Sequence, residues 1–184
     1  MIGRSNAGGG KPEGQYGILV NDVDSNGYPT DITVRYGFPI AESYDYSPFN
    51  YGTTGGNRNK LLLQNCENIL LDIPGTYGVY SFQSMFSYFP GKLKIKGCTG
   101  MGNQVFGNIC SAQSTGKRAV FIPNTVQTMG VYVFYYATDL TVYCEANSKP
   151  DGWAALWNTN RQETKDNKIL TTMWGVTEAQ FDAL

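Results

Sequence analysis

The residues of this chain best suited to chemistry are its four cysteines, Cys66, Cys98, Cys110 and Cys144. A cysteine nucleophile needs a nearby base, most often a histidine, and the sequence contains no histidine. The same absence removes Ser-His-Asp triads and imidazole metal ligands. The cysteines are widely spaced, and none forms a Cys-x-x-Cys pair that could begin a zinc site. The pattern therefore predicts small buried residues with reduced thiols rather than nucleophiles, zinc ligands or disulfides.

An acidic pattern near the N-terminus is the next candidate site. Asp22, Asp24 and Asn26 alternate as they do in a calcium loop, and Gly27 follows them. An EF-hand loop would also need a bidentate glutamate at the position that Thr33 occupies. The Asn-Gly pair lies between β-branched runs at 18–20 and 31–34, a pattern typical of a hairpin turn. A β-hairpin is therefore the favoured interpretation.

The remaining composition narrows the class of protein. Asp and Glu are scattered without a paired catalytic motif, and the sequence contains neither a phosphate-binding Gly-x-x-x-x-Gly-Lys-Ser/Thr loop nor a Gly-x-Ser-x-Gly elbow. We therefore expect no catalytic, cofactor-binding or metal-binding residue, and no enzyme. The formal net charge is −1, so no basic surplus indicates nucleic-acid binding. No stretch approaches the ~20 apolar residues of a membrane helix, so we expect no membrane partner.

The most informative pattern is a repeated hexapeptide, at residues 77–82, 101–106 and 129–134. Each copy has an apolar first residue, glycine in second place and phenylalanine in sixth. The repeated residues are Gly78, Gly102, Gly130, Phe82, Phe106 and Phe134. A unit of 20–29 residues cannot bury its own apolar face, so stacked copies are expected to share one core. The pattern predicts stacked phenylalanines in that core and the glycines in tight turns.

Short β-type runs accompany the hexapeptides, at 69–73, 93–96, 119–122 and 140–143, and Ile-Pro-x-Thr occurs at 73–76 and 122–125. The order of strand, Ile-Pro-x-Thr-Val, apolar-Gly-x-x-Val-Phe, short polar run and strand resembles the BspA-type leucine-rich repeat. The likeness covers about residues 61–175 and is strongest over 119–158. The stretch 93–118 departs from it, since no Ile-Pro precedes its hexapeptide. The resemblance implies a mainly β fold, a short right-handed solenoid of leucine-rich-repeat type.

Four segments follow from these patterns. Residues 1–16 form a Gly-rich arm, either disordered or ordered against a partner, and 17–60 form an N-terminal β unit with a hairpin and a long Tyr-rich loop. Residues 61–145 hold the repeat units, and 146–184 form a C-terminal cap. In the cap, Trp153 and Trp157 suit a short helix or turn over the last unit, and 169–175 suits a strand. The sequence Thr-Glu-Ala-Gln at 177–180 is a capping box that opens a short helix to Leu184.

Two non-catalytic functions fit these features. The stretch 15–30 resembles the start of bacteriophage structural proteins that carry BspA-type repeats, which implies a virion subunit of tail, baseplate or capsid surface, assembled in the bacterial cytoplasm. Such a subunit would contact other virion proteins and form a homo-oligomer. The alternative is a bacterial cell-surface adhesin that binds a host protein or glycan, although the polar start lacks the apolar core of a signal peptide.

Aromatic side chains are the expected contacts for a partner, because tyrosine gives a large contact area at low entropic cost. The candidates are Tyr44, Tyr46, Phe49, Tyr51, Trp153 and Trp157. Indole rings stack on sugar faces in glycan sites, but packing in the cap is the favoured role for the two tryptophans.

Overall fold

A computed structural model describes residues 17–35, 63–83, 86–111, 116–137, 139–160 and 168–184. Strands make up 41% and helix 5% of these residues, so the fold is mainly β as predicted. None of the helical residues in these ranges belongs to a segment long and apolar enough to span a bilayer.

Ten strands and one helix make up the described regular structure. They are β1 (Gly17–Val23), β2 (Pro29–Arg35), β3 (Asn68–Tyr77), β4 (Lys92–Met101), β5 (Ala119–Ile122), β6 (Thr128–Met129), β7 (Thr141–Cys144), β8 (Thr159–Asn160), β9 (Lys168–Ile169), β10 (Thr171–Trp174) and α1 (Glu178–Asp182). Eight strands form one mixed sheet, in the order β1-β2-β3-β4-β5-β7-β10, with β6 paired to β4. Strands β8 and β9 form a separate antiparallel pair.

Strands β1 and β2 form the hairpin that the Asn26-Gly27 pair predicts. The turn closes with a hydrogen bond from the Asp24 amide to the Tyr28 carbonyl (2.8 Å), and Gly27 adopts a φ of 81°. Glycine suits this position because it tolerates positive φ without a steric penalty.

From β2 onward, all the strands of the main path are parallel and lie in chain order. The pairing joins Ile32 to Ile69, Ile69 to Leu93, Leu93 to Val120 and Val120 to Val142. These five side chains are buried. One row of aliphatic residues therefore runs across the sheet, with one residue from each strand, and forms one wall of the core.

The segments that connect these strands are hydrogen-bonded to one another as well. The Gly102 amide donates to the Tyr77 carbonyl and the Gly130 amide to the Met101 carbonyl, both at 2.8 Å. The Ala154 amide makes the same bond to the Met129 carbonyl at 2.8 Å. Each connection therefore lies in register beside the previous one.

The C-terminal segment continues the same sheet, since β10 pairs with β7 in parallel. Helix α1 begins with the predicted capping box, in which the Thr177 side chain and Gln180 exchange hydrogen bonds with each other's backbone. The Phe181 side chain of α1 is buried, whereas Leu184, two residues after the helix ends, is 41% exposed. The tryptophan segment before β8 forms a turn rather than a helix, and Trp153 makes a parallel bridge to Met129.

Candidate functional site

The four cysteines are separate buried thiols. Burial raises the pKa of the Cys144 thiol to about 12 and that of Cys98 to about 11. Burial likewise raises the pKa of Cys66 and Cys110 to about 12. A thiol with so high a pKa is protonated at neutral pH, and only the thiolate is a strong nucleophile. These side chains are therefore core residues in the positions that the sequence predicts.

The alternating acidic pattern belongs to the hairpin turn. The Asp24 carboxylate accepts hydrogen bonds from the amides of Asn26 (2.8 Å) and Tyr28 (2.9 Å) and from the Asn65 side chain (2.9 Å). The Tyr28 bond contributes most to lowering the pKa of this carboxyl. In the part of the chain that the structure describes, no three His, Cys, Asp or Glu residues form a group that could hold a metal ion. The turn geometry accounts for Asp24 without a cation.

The sequence-predicted partner residues fall into two groups. Tyr44, Tyr46, Phe49 and Tyr51 lie outside the described residues. Trp153 and Trp157 are buried, with exposures of 3% and 2%, and their rings contact each other at 4.7 Å between centroids. Both indoles belong to the buried core cluster, and a partner-binding role for either of them stays a prediction. They pack in the cap because the last repeat unit would otherwise leave its apolar end open to water.

The repeated phenylalanines lie in one column inside the molecule. The Phe82 and Phe106 rings stack at 5.4 Å with 9° between their planes, and Phe106 and Phe134 stack at 5.9 Å with 12°. Trp157 covers the end of the column, edge-on to Phe134 at 6.3 Å. Nearly parallel stacking follows from identical positions in adjacent connections, and such ring pairs add about 1 kcal/mol beyond area burial.

Two of the three repeated glycines, Gly102 and Gly130, are required for close approach rather than for turn geometry. None of the three has a positive φ. A Cβ on Gly102 would lie 2.8 Å from the Val79 nitrogen, and one on Gly130 would lie 2.7 Å from the Asn103 nitrogen. At Gly78 the nearest atom would be 3.5 Å away, an ordinary contact. The predicted tight turns are therefore replaced by backbone-to-backbone contact between neighbouring connections.

Positive φ angles occur instead at the fourth place of each hexapeptide, and also at Asn108, Cys110, Arg118, Tyr136 and Asp139. Tyr80, Gln104 and Tyr132 have φ values of 62°, 53° and 53°. Tyr80 is 41% exposed, and the other two are partly exposed. The amides of Tyr80 and Gln104 each bond to the next connection, at Asn103 (3.1 Å) and Val131 (3.2 Å). The three side chains therefore form a row, one from each connection, which is named the fourth-place row.

A second group of polar side chains lies beside this row, three and four places further along each connection. Together the two groups are named the connecting face: Tyr80, Gln83, Gln104, Asn108, Tyr132, Tyr135 and Tyr136. Each of these side chains is partly or fully exposed. Tyrosine rings contact each other within the face, at 6.4 Å for Tyr132 and Tyr135.

The connecting face carries no formal charge. The sign of this in the sequence is a set of long stretches without charged residues, which the search for catalytic and repeat motifs does not detect. The stretches 73–91, 97–116, 119–138 and 152–160 contain no Asp, Glu, Lys or Arg. Between these stretches, charged residues lie in or near the strands, as Lys92, Lys94 and Asp139 do, and also in the segment after β7, at Lys149 and Asp151. The uncharged stretches can therefore offer ring faces, amides and hydroxyls to a ligand, but no ion pair.

The outer surface of the sheet has the opposite character. A groove of about 350 Å³ lies between the hairpin and α1, lined by Asn21, Asp31, Thr33, Asn68, Ile69, Leu70, Lys92, Lys94, Phe181 and Asp182. Its polar groups bond to one another: Lys94 Nζ lies 2.9 Å from Asp182 and 3.0 Å from Glu178. Partial burial lowers the pKa of Lys94, but these carboxylates outweigh it and the net shift is upward. This surface is thus largely used within the chain.

Comparison with known proteins provides no assignment, since no family model, curated protein or solved structure matches this chain.

Proposed function

We propose that the repeat units form a short right-handed solenoid of the BspA-type leucine-rich-repeat kind. In this proposal the chain is a non-catalytic structural and binding subunit of a bacteriophage particle, as part of a tail, a baseplate or a capsid surface. The observation that carries the proposal is the constant register in which successive connections bond to one another.

The solenoid interpretation is supported by two sets of bonds between the same neighbouring units. Strands β3, β4, β5 and β7 pair in parallel and in chain order. Their connections pair in parallel register too, as the Phe82 amide to Val105 (2.9 Å) and the Phe106 amide to Val133 (2.8 Å) illustrate. An open sheet with independent loops needs only the first set, whereas a solenoid needs both.

A binding role rather than a catalytic one is supported by the surroundings of the cysteine thiols and the carboxylates. The thiols are buried and protonated, and the carboxylates of Asp24, Glu178 and Asp182 bond within the chain. The surface that remains is rich in tyrosine and amide side chains, which suit recognition more than proton transfer.

Assembly with other subunits is supported by the two ends of the sheet. Strand β1 forms one edge and β10 the other. Val20 and Val23 are 45% and 48% exposed at the first edge, and Met173 is 48% exposed at the second. Edges with exposed apolar side chains are sites where a further strand or subunit can add.

Mass spectrometry of purified phage particles tests this proposal. We expect peptides of the chain in intact particles, at a constant ratio to a major capsid protein through a density gradient. Native mass spectrometry of the purified chain should show a homo-oligomer or a complex with another virion subunit. Recovery from the bacterial cell surface alone would favour the adhesin alternative, and a stable monomer absent from particles would contradict the virion role.

A further inference from the structure

The fourth-place row carries backbone strain that its residue types do not relieve. Left-handed φ is sterically unfavourable for a non-glycine residue, and a bulky residue rarely adopts it. Tyr80, Gln104 and Tyr132 nevertheless adopt it in three successive connections. The same left-handed φ occurs at Asn108, Cys110, Arg118, Tyr136 and Asp139, so it belongs to the backbone between the strands. At the fourth place it holds three partly or fully exposed side chains in equivalent positions.

The row has the dimensions and chemistry of a site for an extended ligand. Adjacent rungs of paired backbone lie about 4.8 Å apart, so Tyr80 and Tyr132 are separated by about 10 Å, with Gln104 between them. Two flat rings then flank one amide that can both donate and accept hydrogen bonds. Tyr135 and Tyr136 add further rings beside the row, 4.2 Å apart between centroids.

The absence of charged residues around the fourth-place row indicates the class of ligand. Anionic polymers such as nucleic acids or acidic polysaccharides are held by Lys and Arg, and the stretches 73–91, 97–116 and 119–138, which supply the side chains of the row, contain neither. Protein interfaces use tyrosine too, but they are also enriched in Trp, Phe, Met and Arg, and none of these four stands in the fourth-place row. An uncharged sugar chain matches what the row offers, since its rings present apolar faces for stacking and hydroxyls for the amide.

We infer that the connecting face binds an uncharged polysaccharide, with Tyr80 and Tyr132 stacked on sugar rings and the Gln104 amide bonded to hydroxyls between them. This inference rests on the proposed binding function and names its ligand class. The ligand lies along the direction in which the repeat units stack, crossing one connection after another.

The test is electrophoresis of the full chain in gels that contain one polysaccharide each, together with an array of uncharged and anionic oligosaccharides. Dextran, galactomannan and xyloglucan serve as uncharged probes, and alginate serves as the anionic probe. We expect retardation by at least one uncharged probe and none by alginate. Raising NaCl from 50 to 500 mM should change that retardation less than about twofold, because no ion pair contributes.

Variants test whether the fourth-place row, rather than another part of the surface, binds the polysaccharide. Tyr80→Ala and Tyr132→Ala should each weaken binding about tenfold, whereas Tyr80→Phe should keep most of it because the ring remains. Tyr28→Ala is the matched control, since this tyrosine is 36% exposed on the hairpin, away from the row. Thermal melting of every variant verifies the fold, and Tyr80→Ala alone suffices if the Tyr132 variant does not fold.

The results that would contradict glycan binding can be told apart from those that would contradict the virion role. Binding to no uncharged glycan, salt-sensitive binding to alginate, or equal binding by Tyr80→Ala and Tyr28→Ala would overturn it, even if the chain is present in particles. Specific binding to a protein that Tyr80→Ala abolishes, without glycan binding, would also overturn it. Retained glycan binding by a chain absent from particles would support this inference and contradict only the virion role.

Discussion

Each repeat unit has two halves that differ in charge and in what covers them. The strand half carries charged residues on its outer surface, and Lys92 and Lys94 there contact α1. The connecting half has no charged residue within 73–91, 97–116 and 119–138, and its partly exposed side chains there include tyrosines and amides. Both halves contribute to one core, in which the aliphatic row of the strands faces the phenylalanine column of the connections.

The difference shows how one repeat can serve two purposes. On the strand half, Phe181 packs on Phe121 (5.3 Å) and Tyr143 (5.5 Å), so the chain's own C-terminus covers the sheet. Salt bridges from Lys94 hold α1 at the edge of this contact. On the connecting half, Tyr80 is exposed and Gln104 and Tyr132 are partly exposed.

The largest effect is expected from breaking the phenylalanine column at its centre. Phe106 is fully buried and stacks on both Phe82 and Phe134. Phe106→Ala should lower the free energy of unfolding by about 3–5 kcal/mol, through lost burial and the cavity left behind. Urea denaturation followed by fluorescence measures it, with Tyr28→Ala as an exposed control that changes stability by less than about 0.5 kcal/mol. An equally small change for Phe106→Ala would show that the column is not packed.

A smaller effect is expected on the strand half. Phe181→Ala removes the ring that joins α1 to Phe121 and Tyr143. We expect a loss of about 2–3 kcal/mol, below that for Phe106, because a chain end can relax away from the sheet. Limited proteolysis should cleave the C-terminal segment faster in this variant, and an unchanged cleavage rate would contradict docking through Phe181.

The close approach of neighbouring connections can be tested with one methyl group. Gly130→Ala should cost about 2 kcal/mol, because its Cβ would lie 2.7 Å from the Asn103 nitrogen and the backbone must shift. Gly78→Ala is the matched control at the start of the stack, where the nearest atom would be 3.5 Å away. Denaturation midpoints of the two variants should therefore differ clearly, and equal midpoints would contradict the contact between connections.

The buried thiols predict instability in alkali. Burial raises the pKa of Cys144 to about 12, whereas an unfolded cysteine ionises near pH 8.5. Between these values the unfolded state loses a proton that the folded state keeps, so stability present below pH 8.5 falls as pH rises toward 12. Cys144→Ala should reduce the loss of stability between pH 8 and pH 10 by about 1.5 kcal/mol. Urea denaturation at each pH measures the free energy of unfolding. If this free energy falls equally with pH in both proteins, the Cys144 thiol is exposed to water in the folded state, which contradicts the prediction.

Local patterns were sufficient for part of the fold. Asn26-Gly27 predicts the hairpin turn, and Thr177 with Gln180 predicts the start of α1, because each signal acts over a few residues. The hexapeptides predict which residues recur at equivalent places, since stacked units impose the same environment on each copy.

The rest depends on contacts between distant residues. A fourth copy begins at Trp153, which pairs with Met129, but alanine replaces its glycine and no phenylalanine follows in sixth place. Tyrosine has no intrinsic preference for positive φ, so the residue type does not predict the positive φ of Tyr80 and Tyr132. The docking of Phe181 on Phe121 joins residues far apart in the chain, and no local pattern reports such a contact.

Hydrogen exchange followed by NMR tests the central claim, that the connections are bonded to one another as the strands are. The account predicts that the amides of Phe82, Phe106 and Gly130 are protected to within about tenfold of the amides of β4. The contradictory result would be exchange of these three amides at the rate of an unfolded peptide while β4 stays protected.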